Sequence, residues 1–145
     1  MIGTSTAQVQ STGNALQVKA GSRGFEIVFD EPEESGGANT GMNPVEGLLC
    51  ALGACQTIAA MIFAGIEGVE LDGVRAEVEG DIDPDGFVGK NPNARNGFES
   101  IRCTLHVSGP DKDAVRRIAE RARERCPVSD CIENPVPVSC EIVVD

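Results

Sequence analysis

The sequence predicts an α+β chain, ordered βββ-α-ββ-α-β, on three observations. Several short stretches alternate apolar and polar side chains, the period-2 signature of half-buried strands. Residues 44–66 form a long apolar run with one charge near its beginning. Residues 111–125 carry Val115, Ile118, Ala119 and Ala122 at helical spacing, so that segment reads as an amphipathic helix. The chain has 145 residues, 41% of them hydrophobic, a size at which one core is the usual solution; 1–145 is expected to be a single domain.

Taken in order, 7–11, 15–20 and 24–30 alternate, with TGN and GSRG as turns, so an N-terminal antiparallel meander is expected. The Gly- and acid-rich stretch 31–42 reads as a loop. Asn43 followed by Pro44 is a helix start, with Glu46 favourable at the positive end of the helix dipole. The run that follows is long enough to raise a transmembrane reading. Gln56, Thr57, several small residues and acidic flanks without Lys or Arg anchors argue against it. A helix apolar on all sides is then expected to be covered all round, and a chain this short needs a second subunit to cover it. Gly65 and Gly68 end it. Strands are expected over 69–81 and 98–107, joined by a DPDG turn and a loop. Pro127 stops the 111–125 helix. A last strand is expected over 136–144, with Val136, Val138, Cys140, Ile142 and Val144 on one face.

Composition narrows the function. Twelve Lys and Arg stand against 23 Asp and Glu, a formal charge of -11, which repels phosphate backbones and anionic lipid. Nucleic-acid and membrane partners are therefore not expected. Five Phe and no Trp or Tyr leave little for base stacking. One His cannot supply a Cys2His2 zinc site or readily a catalytic triad. The N-terminus shows no basic-then-apolar secretory pattern, so a cytoplasmic, reducing location is expected, where six cysteines mean filler, metal ligands or redox chemistry.

The cysteines sort by context. Cys103 and Cys140 lie on apolar strand faces and read as small buried hydrophobes. His106, on the face opposite Cys103, reads as solvated. Cys126 precedes Pro127 and is a candidate N-cap for a short helix over 127–133. Backbone N–H groups there, with Arg121, Arg123 and Arg125 near, would favour its thiolate; closing a helix is the alternative. Cys55 sits near the middle of the apolar run and by itself reads as core. Cys50 with Cys55, and Cys126 with Cys131, invite a metal reading, but such positions on a helix point about 140° apart, so no metal site is expected. GGANTG lacks the GK[ST] ending of a phosphate loop.

The stretches FDEPEESGGANTGMNP, NPVEGLLCALGAC and CPVSDCIENPVPV together resemble the OsmC/Ohr family, osmotically inducible protein C and organic hydroperoxide resistance protein. The likeness runs from about residue 24 onward. It implies antiparallel sheets wrapped around a long central apolar helix in an intertwined homodimer. It implies a cysteine-based thiol peroxidase in peroxide stress defence, with Cys55 as the peroxidatic thiol and Cys126 as the resolving one. The implied substrate is an organic hydroperoxide, and the implied reductant an external dithiol, often a lipoyl group on a protein. No further cofactor is implied. The family's peroxidase pattern has Glu directly after Asn-Pro, holding a catalytic Arg; here that position is Val45, and Glu46 and Arg23 are the nearest supporting candidates. The alternative is a non-peroxidatic relative binding a hydrophobic or sulfur-containing small molecule in the dimer pocket. A third reading is a scaffold with inert thiols.

Overall fold

The computed structural model describes residues 1–145, which fall into two compact units, Met1–Leu48 and Leu49–Asp145. In the first, β1 (Gln8–Ser11), β2 (Val18–Ser22) and β3 (Phe25–Phe29) form an antiparallel meander in the order β1-β2-β3. The β2–β3 connection is Arg23-Gly24, with φ of 54° and 85°. Two positive φ values in a two-residue loop match the right-handed twist of the paired strands. The strands were expected to be half-buried, but one apolar row is open: Val9, Phe25 and Ile27 are all exposed.

The loop after β3 is shaped by one carboxylate. Asp30, only 2% exposed, accepts hydrogen bonds from the Thr40 hydroxyl at 2.6 Å and from the N–H groups of Glu31, Thr40 and Ala38. A Cβ on Gly37 would collide with the Glu31 carbonyl, so glycine is required where the loop folds back on itself. The loop delivers the chain to α1 (Pro44–Glu67), in whose opening turns the boundary between the two units falls.

In the second unit, β4 (Gly73–Ile82) and β5 (Phe98–Ser108) pair antiparallel from Gly73 with Ser108 to Ile82 with Phe98. Alternation gives this ribbon two faces. Val74, Ala76, Val78, Ile101, Cys103, Leu105 and Val107 share one, and Arg75, Glu77, Glu79, Asp81, Arg102 and His106 the other. The expected DPDG turn is a short helix, α2 (Pro84–Phe87), because the Asp83 carboxylate caps it by accepting from Asp85 N–H at 3.0 Å. Next come α3 (Lys112–Arg125), capped by Asp111, and α4 (Pro127–Glu133).

The core of this unit is a meeting of α1 and α3. Ala59, Ala60 and Ala64 pack with Ile118 and Ala122, and Phe63, Val74 and Leu105 close around them. Small side chains let the two helices approach closely. Gly53 serves the same end against the ribbon, where a Cβ would stand 3.1 Å from Val78 Cγ2. At the end of α1, Gly68 takes φ of 68° and Val69 N–H bonds to the Ala64 carbonyl at 2.9 Å, closing the helix in the glycine-dependent way.

One expectation is refined here and one is corrected. Within one chain the 44–66 helix keeps an open side, where Ile58, Met61, Ile62 and Ile66 are more than half exposed. By length and composition α1 could cross a bilayer, a test that core helices also pass. The expected strand over 136–144 is absent. It pairs with neither sheet, Val138 and Val144 stand in solvent, and Cys140 is exposed rather than a core residue. Apolar alternation makes a segment ready for a ladder, but an unpartnered strand has no hydrogen bonds to hold it, and Pro135 and Pro137 remove two donors at its start.

Candidate functional site

α1 lifts Cys55 to the margin between its packed and open sides, where it is half-buried. Leu52, Gln56 and Ala59 on one side of it are buried, while Ile58 and Ile62 on the other are exposed. Cys126 is 1% exposed and occupies the single residue between α3 and α4. As expected from the proline that follows it, it is the N-cap of the 127–133 helix: its Sγ accepts from Ser129 N–H at 3.4 Å. The two thiols are neighbours, close enough for the Cys55 sulfur to act on the titration of Cys126.

The electrostatics of Cys126 run against the sequence expectation. Burial pushes its thiol above the ordinary range, the N–H groups of Ser129 and Val128 pull it back in part, and the neighbouring Cys55 sulfur pushes it up again. The nearby arginines contribute nothing to this balance. Arg121 is occupied elsewhere, bonded to Glu67 at 2.7 Å and stacked 4.3 Å over the Phe63 ring. Arg117 also leans on Glu67, at 3.8 Å, while Arg123 and Arg125 point to solvent without an acidic partner.

The supporting candidates lie in Met1–Leu48, where each has a local task. Glu46 forms a reciprocal capping box with Asn43: its carboxylate accepts from Asn43 N–H at 3.0 Å, and its own N–H donates to Asn43 Oδ1 at 2.9 Å. Arg23 holds the left-handed first position of the β2–β3 turn and lies 5.3 Å from the Phe25 ring centroid. Val45 is half-buried on the first turn of α1. His106 stands 3.5 Å from Glu77, across the ribbon from Cys103.

One pair next to the site escaped the sequence reading. Gln56, 5% exposed, is the single polar side chain among the buried residues of α1, and its Oε1 accepts from the Cys103 thiol at 3.5 Å. Burial pushes the Cys103 thiol up, which keeps it a donor. From the sequence Cys103 reads as a plain hydrophobe and Gln56 only as a mark against membrane insertion. The available signal was a lone amide at the centre of an otherwise apolar helix face. Cys50 and Cys131 are exposed, and no group of three or more His, Cys, Asp or Glu is disposed to hold a metal ion.

The family model described as OsmC-like protein matches residues 36–141. An uncharacterised protein of Acinetobacter baylyi is 30% identical over 121 residues, covering 83% of this chain and 80% of its own. Among solved structures, the OsmC-like protein of Mycoplasma pneumoniae superposes with a TM-score of 0.76 at 19% identity, over 93% of this chain and 91% of that one. An organic hydroperoxide resistance protein OsmC of Legionella pneumophila gives 0.66 at 20% identity, over 92% of each chain. At these identities the structures establish the fold, and the family match covers most of the sequence. The chain belongs to the OsmC-like protein family.

Proposed function

We propose that this protein is a two-cysteine thiol peroxidase acting on organic hydroperoxides, with Cys55 as nucleophile and Cys126 as resolving thiol. The observation that supports it is that two cysteines from distant parts of the chain, one half-buried and one buried, are neighbours, the Cys55 sulfur acting on the titration of Cys126. In the first step the Cys55 thiolate sulfur attacks the terminal oxygen of R–O–O–H. The O–O bond breaks, Cys55 becomes the sulfenic acid, and the alkoxide takes up a proton to leave as the alcohol. Cys126 then gives up its proton and attacks the Cys55 sulfur. The S–S bond forms and hydroxide leaves with that proton as water. An external dithiol, such as a protein-borne lipoyl group, reduces the disulfide by exchange.

The sulfur environment suits that order. Burial is the main cause that raises the Cys126 thiol, and a charge on Cys55 raises it further. Oxidation to the neutral sulfenic acid removes that charge, so Cys126 becomes easier to ionise when it is needed. Residues 1–145 act as one domain in this reading, in a reducing compartment. The functional unit is a homodimer, supported by the open apolar side of α1, the open row Val9, Phe25 and Ile27, and the unpaired 136–144 segment. Glu46 is assigned to helix capping and not to catalysis.

A second reading, a small-molecule binder without peroxidase activity, is favoured by the protonated Cys126 and the lack of any cation in its balance. One titration decides. Free thiols are counted before and after stoichiometric cumene hydroperoxide. The peroxidase loses two thiols quickly, and Cys55→Ser abolishes the loss; unchanged thiols together with a co-purifying small molecule establish the binder.

A further inference from the structure

We infer that Gln56 is a positioning residue: the Gln56–Cys103 pair fixes the rotation of α1 about its own axis, and so the direction in which Cys55 presents its sulfur to Cys126. The inference rests on the assignment of Cys55 and Cys126 as the working pair. It begins from an ambiguity in the helix. α1 is apolar on its packed side, through Leu52, Ala59, Ala60 and Ala64, and apolar on its open side, through Ile58, Met61, Ile62 and Ile66. Hydrophobic burial is non-directional, so such a helix has little in its pattern to choose one rotation over its neighbours. The small buried side chains add few steric stops.

At the C-terminal end Glu67 is tied to Arg121 at 2.7 Å, but beside Cys55 a single directional contact breaks the tie. Gln56 is 5% exposed, and its Oε1 accepts from the Cys103 thiol on β5 at 3.5 Å. Turning α1 by even part of a residue step would leave that amide oxygen buried without a donor, a penalty that apolar neighbours do not impose. A buried polar group used in this way sets register rather than adding stability, as a single Asn does in a coiled coil. Cys55 is the adjacent residue, about 100° round the helix. Its sulfur direction follows from where Gln56 is held. Cys126 is fixed independently by its cap bond to Ser129, so the two sulfurs meet only if α1 is correctly turned.

The experiment is the thiol–disulfide equilibrium of the full-length protein in glutathione redox buffers, with the Cys55–Cys126 linkage quantified by peptide mapping. Each linkage formed converts one glutathione disulfide to two glutathiones, so the constant reports how well the thiols are placed and needs no hydroperoxide. Gln56→Leu is expected to weaken the linkage by about tenfold or more while melting no lower than the parent. Cys103→Val, which removes the donor, should match it; Cys103→Ser, which keeps a hydroxyl to donate, should stay within about twofold of the parent. A Gln56→Leu constant within twofold of the parent overturns the inference, as does a melting temperature that falls in step with the constant. Should Gln56→Leu not fold, the Cys103→Val and Cys103→Ser contrast decides. If the parent forms the linkage in glutathione yet ignores hydroperoxide, the peroxidase reading fails and the positioning role stands.

Discussion

The two units of the chain are held by different physics. In Met1–Leu48 the loop that leads to α1 is organised around one buried carboxylate, Asp30, which accepts from four donors, while much of the sheet's apolar surface stays open. In Leu49–Asp145 the centre is the apolar contact of α1 and α3, with Ile118 and Ala122 fully buried. Hydrogen bonds are directional and respond to protonation; alanine-rich packing is indifferent to pH and intolerant of changes in volume. The lesson is that the same chain should fail in two distinct ways, by acid in one region and by altered side-chain size in the other.

The largest expected effect tests the packed region. Ile118→Ala removes a fully buried side chain between two helices and should cost about 2–5 kcal/mol, read from urea unfolding. Hydrogen exchange locates the loss: amides of α1 and α3 should speed up first. If those of β2 speed up equally, the units unfold as one and the comparison breaks. Acid is the converse test. The Thr40 hydroxyl, with the N–H groups of Glu31, Thr40 and Ala38, holds the Asp30 carboxyl below its ordinary range despite its burial. A depressed value means its stabilisation is whole above about pH 4 and is lost as pH falls through the lower, folded value. Protection of the 31–41 amides should therefore collapse below pH 4, and Asp30→Asn should abolish that acid step.

Glu46→Ala comes next in size. Loss of half the capping box should cost about 0.5–1 kcal/mol and leave the hydroperoxide-dependent thiol loss in place. A large fall in that loss with normal stability would return Glu46 to the catalytic machinery. Arg102→Ala should have the least effect on melting. Its bonds to Asp81 and Glu79 lie in solvent, where screening and side-chain entropy cancel most of the attraction. The visible change should be in titration: the Asp81 carboxyl, held at about 2 chiefly by Arg102, should return toward the usual carboxylate range by NMR.

What could be read from the sequence follows from how local each signal is. The Asn43–Pro44 helix start and the Cys126–Pro127 cap were legible because capping is decided by two or three neighbouring residues. The alternation of 73–82 and 98–108 was legible because both strands pair within the same chain. The segment 136–144 carries the same alternation yet forms no strand, because pairing depends on a neighbour that sequence periodicity does not supply. Between an activated thiolate and a plain helix closure at Cys126 the sequence does not choose, for a related reason. Arginines adjacent in sequence need not be neighbours in space, and Arg121 is spent on Glu67 and Phe63. The meeting of Cys55 and Cys126 entered through the family likeness; spacing alone left Cys55 as core.

The sulfur that accepts from Ser129 is also the sulfur that would enter the disulfide. In the disulfide that sulfur is tethered to Cys55 and no longer free to keep its cap geometry, so oxidation would loosen the first turn of α4 as it ties that turn to α1. Redox state would thus be written into the backbone, and amide exchange at Ser129 could report, without any dye or coupled assay, how much of the protein stands oxidised.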